Sequence, residues 1–191
     1  MTRGRERDAG VTTIRARPTS SLLAALLSVG LLYVLCLGLF VPQFQTNDDA
    51  AMAMIAAGFE LSDSGTEHLL FTHVAIGLVL QRLYAAWPEF PWYGTYLHLL
   101  QFLAFTLLGF CLLRVAGPRP GALLWLAWLA TFGSAAVISL QFTQVSALLA
   151  GAGLFACLSV CDWPPGPRAE RILVGLAGAL GACRRISLRA E

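Results

Sequence analysis

Two adjacent carboxylates, Asp48 and Asp49, stand in the segment TNDDAAMAMIAAG, directly after a long apolar run. A carboxylate can take a proton from a hydroxyl group, and its oxygen atoms can bind a divalent cation such as Mg²⁺ or Mn²⁺. A structural role competes with both, because acidic side chains in the first turn of a helix stabilise it by about 0.5–2 kcal/mol. Asp48 and Asp49 are therefore candidate catalytic residues and metal ligands, with helix capping as the alternative.

The residues around this pair predict a short helix. Thr46 and Asn47 are good capping residues, alanines and methionines follow, and Gly58 would end the helix. Apolar residues then recur every three or four positions, which predicts that the helix lies flat with its apolar side on the bilayer surface. Adjacent helical side chains point in different directions, so the two carboxylates could share a ligand only if the first were a non-helical cap. We expect Asp48 to be the base and Asp49 a supporting ligand or hydrogen-bond acceptor.

Further candidates follow in the segment SDSGTEHLLFTHV and in the apolar run after it. Glu67 and His68 could bind substrate, His68 through a hydrogen bond to a phosphate. Ser64 and Glu67 also have capping-box spacing, which is the simpler explanation for the acid. His73 would be buried if its helix dips into the membrane, where polar groups are often functional. Arg82 could bind a lipid phosphate as part of a substrate site, although a side chain that reaches the headgroups is the default expectation.

The composition of the chain is that of a membrane protein. Its 191 residues are 57% hydrophobic and 13% charged, and the mean hydropathy is +0.69, whereas about a quarter of an ordinary soluble domain is charged. The net charge of +2 gives no indication of a nucleic-acid partner. The five cysteines lack the spacing of a zinc site, so we interpret them as packing residues.

The first apolar run, residues 22–41, is long enough to cross a bilayer of about 30 Å. Its length argues against a cleaved signal peptide. Five arginines precede the run, and the positive-inside rule then keeps residues 1–20 in the cytoplasm and makes 21–42 the first transmembrane helix. Residues 43–68 form an external loop with five acidic residues and no lysine or arginine. The bilayer is thus an expected partner.

Residues 69–191 continue the same single membrane domain, an all-α polytopic transmembrane bundle whose external loop contains a short juxtamembrane helix. The run 69–87 could cross, or it could be tilted, partly inserted or re-entrant. The second arrangement is favoured, because it leaves the arginines after the runs 93–113 and 145–160 in the cytoplasm. In this second arrangement, the run 122–138 crosses from the inside to the outside, and Gln141 to Gln144 form a short external turn. The run 172–183 is too short to span, which predicts a truncated chain.

Polar and aromatic residues mark the start of the run 93–113. Tyr93 and Tyr96 are typical of an interfacial aromatic belt. His98 and Gln101 should form one polar face turned toward the other helices.

The order of these parts resembles the amino-terminal portion of the GT-C superfamily of polytopic membrane glycosyltransferases. The similarity consists of an inward-to-outward first helix, the loop opening TNDDAAMAMIAAG, a juxtamembrane helix, and the later segment GTEHLLFTHVAIGLVLQRLY. It is nearest to bacterial members whose loop opens with a similar Asn-Asp-Asp start. The resemblance implies a polyprenyl-phosphate-linked sugar donor, transfer on the outer face of the bacterial inner membrane, and a loop acid as base. Asp48 and Asp49 are the residues it carries over.

Three functions remain open from the sequence. The leading hypothesis is a glycosyltransferase, or a fragment of one, that moves a sugar from a lipid-linked donor to an acceptor hydroxyl. A non-catalytic membrane protein or inactive fragment is the alternative. A transporter subunit is disfavoured, because the runs from residue 122 to residue 160 contain no ionisable residue at mid-span.

Overall fold

A computed structural model describes residues 18–59, 68–69 and 72–161, and these form an all-α helical bundle. Glu67 and the run 172–183 lie outside these residues. The elements, in chain order, are α1 (Pro18–Leu39), β1 (Gln43–Phe44), α2 (Asn47–Ala57), α3 (Val74–Ala86), α4 (Trp92–Val115), α5 (Pro118–Trp128), a π-helical turn (Leu129–Gly133), α6 (Ser134–Ile138), β2 (Ser139–Leu140) and α7 (Phe142–Cys161).

In the part of the chain that the structure describes, four helices are long and apolar enough to cross a membrane, namely Thr19–Leu39, Trp92–Val115, Pro118–Ile138 and Phe142–Ser159. They confirm that the four runs expected to span are long apolar helices. The third is continuous through α5, the π-helical turn and α6. The predicted turn from Gln141 to Gln144 is wrong in extent, because α7 already begins at Phe142.

Helix α3 is much shorter than the apolar run 69–87. Its 13 residues extend about 20 Å, whereas a bilayer core needs about 30 Å. The helix ends at Ala86, and Pro88 two residues later cannot continue a helix. The described helix α3 is therefore too short to cross a bilayer by itself, as the non-crossing arrangement expects.

A two-residue parallel pair joins two distant connections. Strand β1, just after α1, pairs with β2, just after α6, and the N–H of Gln45 donates to the carbonyl of Leu140 at 2.8 Å. Helices α1 and α6 therefore finish at the same end of the bundle. We call this end, formed by β1, β2, α2 and the first residues of α4 and α7, the site end.

Contacts among α1, α4 and α7 define the end of the bundle opposite the site end. Ala25 of α1 is buried in one cluster with Phe110 and Cys111 of α4 and with Ala156 of α7. The first half of α1 thus lies beside the last halves of α4 and α7, so α1 runs antiparallel to both. The chain returns from the end of α1 to the start of α4 at the same end, as a non-crossing α3 requires. Arg114 and Arg119 lie at the end where α1 begins.

Close packing fixes α4 against α5. A Cβ atom at Gly109 would lie 2.6 Å from Cε2 of Trp125, so only glycine allows this approach. The indole N–H of Trp125 donates to Oγ of Ser28 at 2.9 Å, which brings α1 to the same contact. The close contact at Gly109 and the hydrogen bond from Trp125 to Ser28 therefore fix the positions of α1, α4 and α5 relative to one another.

Candidate functional site

The predicted helix after β1 is confirmed as α2. Thr46 is its N-cap in an extended conformation, and Gly58 ends it in the left-handed region at φ 84°. The N–H groups of Gly58 and Phe59 donate to carbonyls of the last turn. Asp48 and Asp49 both lie inside the first turn, so Asp48 is not the non-helical cap that a ligand shared by the two carboxylates would require.

The apolar side of α2 is covered by other helices. Met52 and Ala56 are fully buried with Leu97 of α4 and Val145 of α7. The prediction that this side lies on the bilayer surface is wrong for these residues. Burial against the bundle fixes the orientation of α2, and with it the direction in which each aspartate points.

Asp49 is buried and joins three helices. Its side chain is 1% exposed. Oδ2 accepts from the hydroxyl of Thr46 at 2.7 Å, and Oδ1 accepts from the hydroxyl of Tyr93 at 3.2 Å and from the N–H of Phe142 at 3.0 Å. The Phe142 N–H is at the start of α7, where the helix dipole also favours a negative charge. Asp49 thus caps α7 from another element and ties α2 to α4.

Asp48 has a different environment, because its side chain is exposed at the same helix end. Neighbouring helical side chains are about 100° apart around the axis, and here Asp49 points toward α4 and α7 while Asp48 points away from them. The structure separates the two carboxylates into a buried hydrogen-bond acceptor and an exposed group. Asp48 is the carboxylate of this pair that is accessible from outside the protein.

A dedicated metal site does not form among the residues that the structure describes. No group of three or more His, Cys, Asp or Glu side chains there is placed to hold an ion. Both oxygens of Asp49 already accept hydrogen bonds from the protein. A bound Mg²⁺ or Mn²⁺ would thus have Asp48 as its available carboxylate and would take its other ligands from elsewhere.

Tyr93 is a site residue that sequence reasoning missed. The sequence pattern favours an interfacial aromatic at this position, yet Tyr93 is fully buried with residues of α2 and α3 at the first turn of α4. Its hydroxyl reaches Asp49, and its N–H donates to the hydroxyl of Tyr84 at 3.1 Å. Burial raises the pKa of Tyr84, and the N–H groups of Tyr93 and Trp92 offset part of that rise. Tyr84 is thus a neutral acceptor at physiological pH.

The remaining predicted residues lie on or before α3. His68 is exposed and precedes the helix. His73 is the N-cap of α3 and is exposed rather than buried, with Nδ1 accepting from the N–H of Ala75 at 3.2 Å. That contact gives His73 a structural role. Arg82 is exposed on α3, and Glu67 lies outside the described residues.

A second polar group lies within the bundle. Gln101 is fully buried, its Nε2 donates to the carbonyl of Ala136 at 2.9 Å, and its Oε1 accepts from the hydroxyl of Tyr33 at 2.9 Å. The expected inward polar face of α4 is confirmed for Gln101, whereas His98 is half-buried. These contacts join α1, α4 and α6.

Comparison of the chain with protein-family models, with curated proteins and with solved structures found no match.

Proposed function

We propose that this chain is a membrane glycosyltransferase, or part of one, that uses a polyprenyl-phosphate-linked sugar donor. The observation that carries the proposal is the unequal pair at the site end, where Asp48 is exposed beside the anchored Asp49. An exposed carboxylate on a helix that is fixed by its neighbour suits a base that must meet a hydroxyl at a defined position. The resemblance of TNDDAAMAMIAAG to the GT-C loop adds support.

In the proposed reaction, the acceptor hydroxyl attacks the anomeric carbon of the donor sugar. Asp48 takes the hydroxyl proton as the new C–O bond forms. The bond from the anomeric carbon to the lipid phosphate breaks, and its electron pair leaves with the phosphate. Asp49 contributes by fixing α2 through its contacts to Tyr93 and Phe142, which hold Asp48 in place.

The proposed location is the bacterial inner membrane, with the N-terminus in the cytoplasm and the site end on the outer side. Arg114 and Arg119 lie at the end where α1 begins, the end that also carries the arginine-rich tail in sequence. Grouping these cations on one side agrees with the positive-inside rule. The lipid-linked donor would then reach Asp48 from the outer leaflet without its hydrocarbon tail leaving the bilayer.

The test is Asp48→Asn in the full-length protein, assayed for sugar transfer to acceptor in membranes. Loss of a general base lowers the rate by about 10²- to 10⁴-fold, and expression should be unchanged because Asp48 is exposed. The matched control is Glu89→Gln, which removes another exposed carboxylate. Transfer that survives Asp48→Asn at the control rate would remove the base assignment.

The orientation has its own test. A cysteine placed at Asn47, which is exposed beside Asp48, should react with an impermeant maleimide added outside intact cells. A cysteine at Arg119, exposed at the other end, should react only after the membrane is opened. The reverse pattern would place the site end in the cytoplasm and contradict the proposal.

A further inference from the structure

Helix α3 has one face that is buried against α2 and one that is exposed. Leu80 and Tyr84 are buried against Met52 and Ala56 of α2 in the cluster that also contains Tyr93. The opposite face is apolar and uncovered, with exposed fractions of 43% at Val74, 39% at Leu78 and 57% at Val79. The structure thus leaves a row of aliphatic side chains exposed on a helix that is firmly packed on its other side.

One charged residue shares this exposed face. Arg82 follows Leu78 and Val79 at helical spacings of four and three, and it is the only charged residue between Val74 and Ala86. A protein partner that covered the face would have to provide a carboxylate for the guanidinium, since unpaired buried charge is costly. A phospholipid provides acyl chains for the aliphatic row and a phosphate for Arg82.

An aromatic turn, which also carries the exposed Glu89, follows the end of α3. The rings of Trp87, Phe90 and Trp92 are in contact, with centroids 5.0 Å apart for the first pair and 4.3 Å for the second. The indole N–H of Trp92 donates to the carbonyl of Trp87 at 3.0 Å, and Trp87 is 54% exposed. Tryptophan with an apolar body and a polar edge is enriched at the level of the lipid headgroups.

We propose that α3 and this aromatic turn lie in the membrane interface and bind anionic phospholipid. The aliphatic face of α3 enters the acyl region, the indole rings lie at the headgroup level, and Arg82 binds the lipid phosphate. The helix is too short to cross the bilayer, and it packs against the site end of the bundle. An apolar face with one cation suits the membrane interface, where acyl chains and lipid phosphates are both within reach. This placement does not depend on sugar transfer.

Photocrosslinking tests the location of the face. The photoreactive residue p-benzoylphenylalanine is introduced at Val79, and the full chain is placed in nanodiscs of equimolar phosphatidylglycerol and phosphatidylcholine. The control carries it at Asn47, which is exposed at the polar start of α2. We expect lipid adducts several-fold more abundant at Val79 than at Asn47 by mass spectrometry. Equal labelling at the two positions, or crosslinks from Val79 to a second protein chain, would overturn the proposal.

Headgroup selection tests the role of Arg82. In the Val79 crosslinking variant, phosphatidylglycerol should be enriched among the adducts, and adding Arg82→Gln should bring the ratio toward that of the nanodisc. Arg82→Lys should keep part of the enrichment, because it keeps the charge but loses the bidentate geometry. A ratio unaffected by Arg82→Gln would overturn the assignment of Arg82 to lipid phosphate.

Discussion

In the described part of the chain, the side chains of Asp49, at the site end, and Gln101, within the bundle, each form the centre of a buried hydrogen-bonded junction between helices. Each is fully buried and links three elements through one side chain. The central group of the junction at Asp49 is a carboxylate, and the neighbouring residue in sequence, Asp48, is exposed. The junction at Gln101 is neutral, and its contacts lie among spanning helices. Both buried polar side chains position helices, and the two junctions differ in that only Asp49 has an exposed carboxylate as its sequence neighbour.

The largest effect should come from Asp49→Ala. The change removes the carboxylate that accepts from the hydroxyls of Thr46 and Tyr93 and from the N–H of Phe142. Losing the partner of a buried polar group costs about 1–3 kcal/mol, and the Tyr93 contact is the buried one of the three. We expect a clear fall in the thermal unfolding midpoint in detergent. Asp49→Asn keeps one acceptor oxygen and should lose less. Equal stability of Asp49→Ala and the wild type would show that the junction does not hold the site end.

Tyr93→Phe should have an intermediate effect. It removes one hydrogen bond to a carboxylate, for which about 1.5–3 kcal/mol is typical, but it keeps the ring in its buried position. The unfolding midpoint in the same assay provides the measurement. In an Asp49→Ala background the same change should cost much less, because its partner is already gone. Additive losses would contradict a direct interaction between the two side chains.

Gln101→Leu should cost less, roughly 0.6–1.7 kcal/mol, which is the range for hydrogen bonds between membrane helices. The hydroxyl of Tyr33 can still donate to the carbonyl of His98, a contact of 3.0 Å in the structure, so one donor keeps a partner. The matched control is Leu103→Ala at an exposed position of α4. A loss larger than that of Asp49→Ala would reverse the ranking of the two junctions.

The smallest change in stability should come from Asp48→Asn. The side chain is exposed, and such substitutions usually change the free energy of unfolding by no more than about 0.5 kcal/mol. Its unfolding midpoint should match that of Glu89→Gln. A large drop would mean that Asp48 supports the fold, and any loss of transfer in this variant would then have a structural cause.

Much of the fold could be predicted from local sequence. Thr46, the aspartates and Gly58 predicted α2 almost to the residue, because capping and the left-handed glycine act within a few positions. The four long helices followed from apolar length alone. The run 69–87 was ambiguous, because its composition fits a span while its helix begins only at Val74. His73, for which the sequence predicts burial if its helix enters the membrane, is instead the exposed N-cap of α3.

The partners of Asp49 could not be predicted in this way. Tyr93 and Phe142 lie 44 and 93 positions away, and nothing in either local pattern refers to a carboxylate. The parallel pairing of Gln43 with Ser139 has no sequence signal either, because two residues are too few for a periodic pattern. Each depends on which ends of the helices meet, and this follows from the packing of the whole bundle.

By itself, the sequence determined the helices and the carboxylates at the start of α2, because hydropathy, length and capping are local properties. The tertiary structure alone decided which carboxylate is buried. Packing Met52 and Ala56 against α4 and α7 sets the rotation of α2. That rotation turns Asp49 toward the donors of two other helices and leaves Asp48, about 100° away around the axis, exposed.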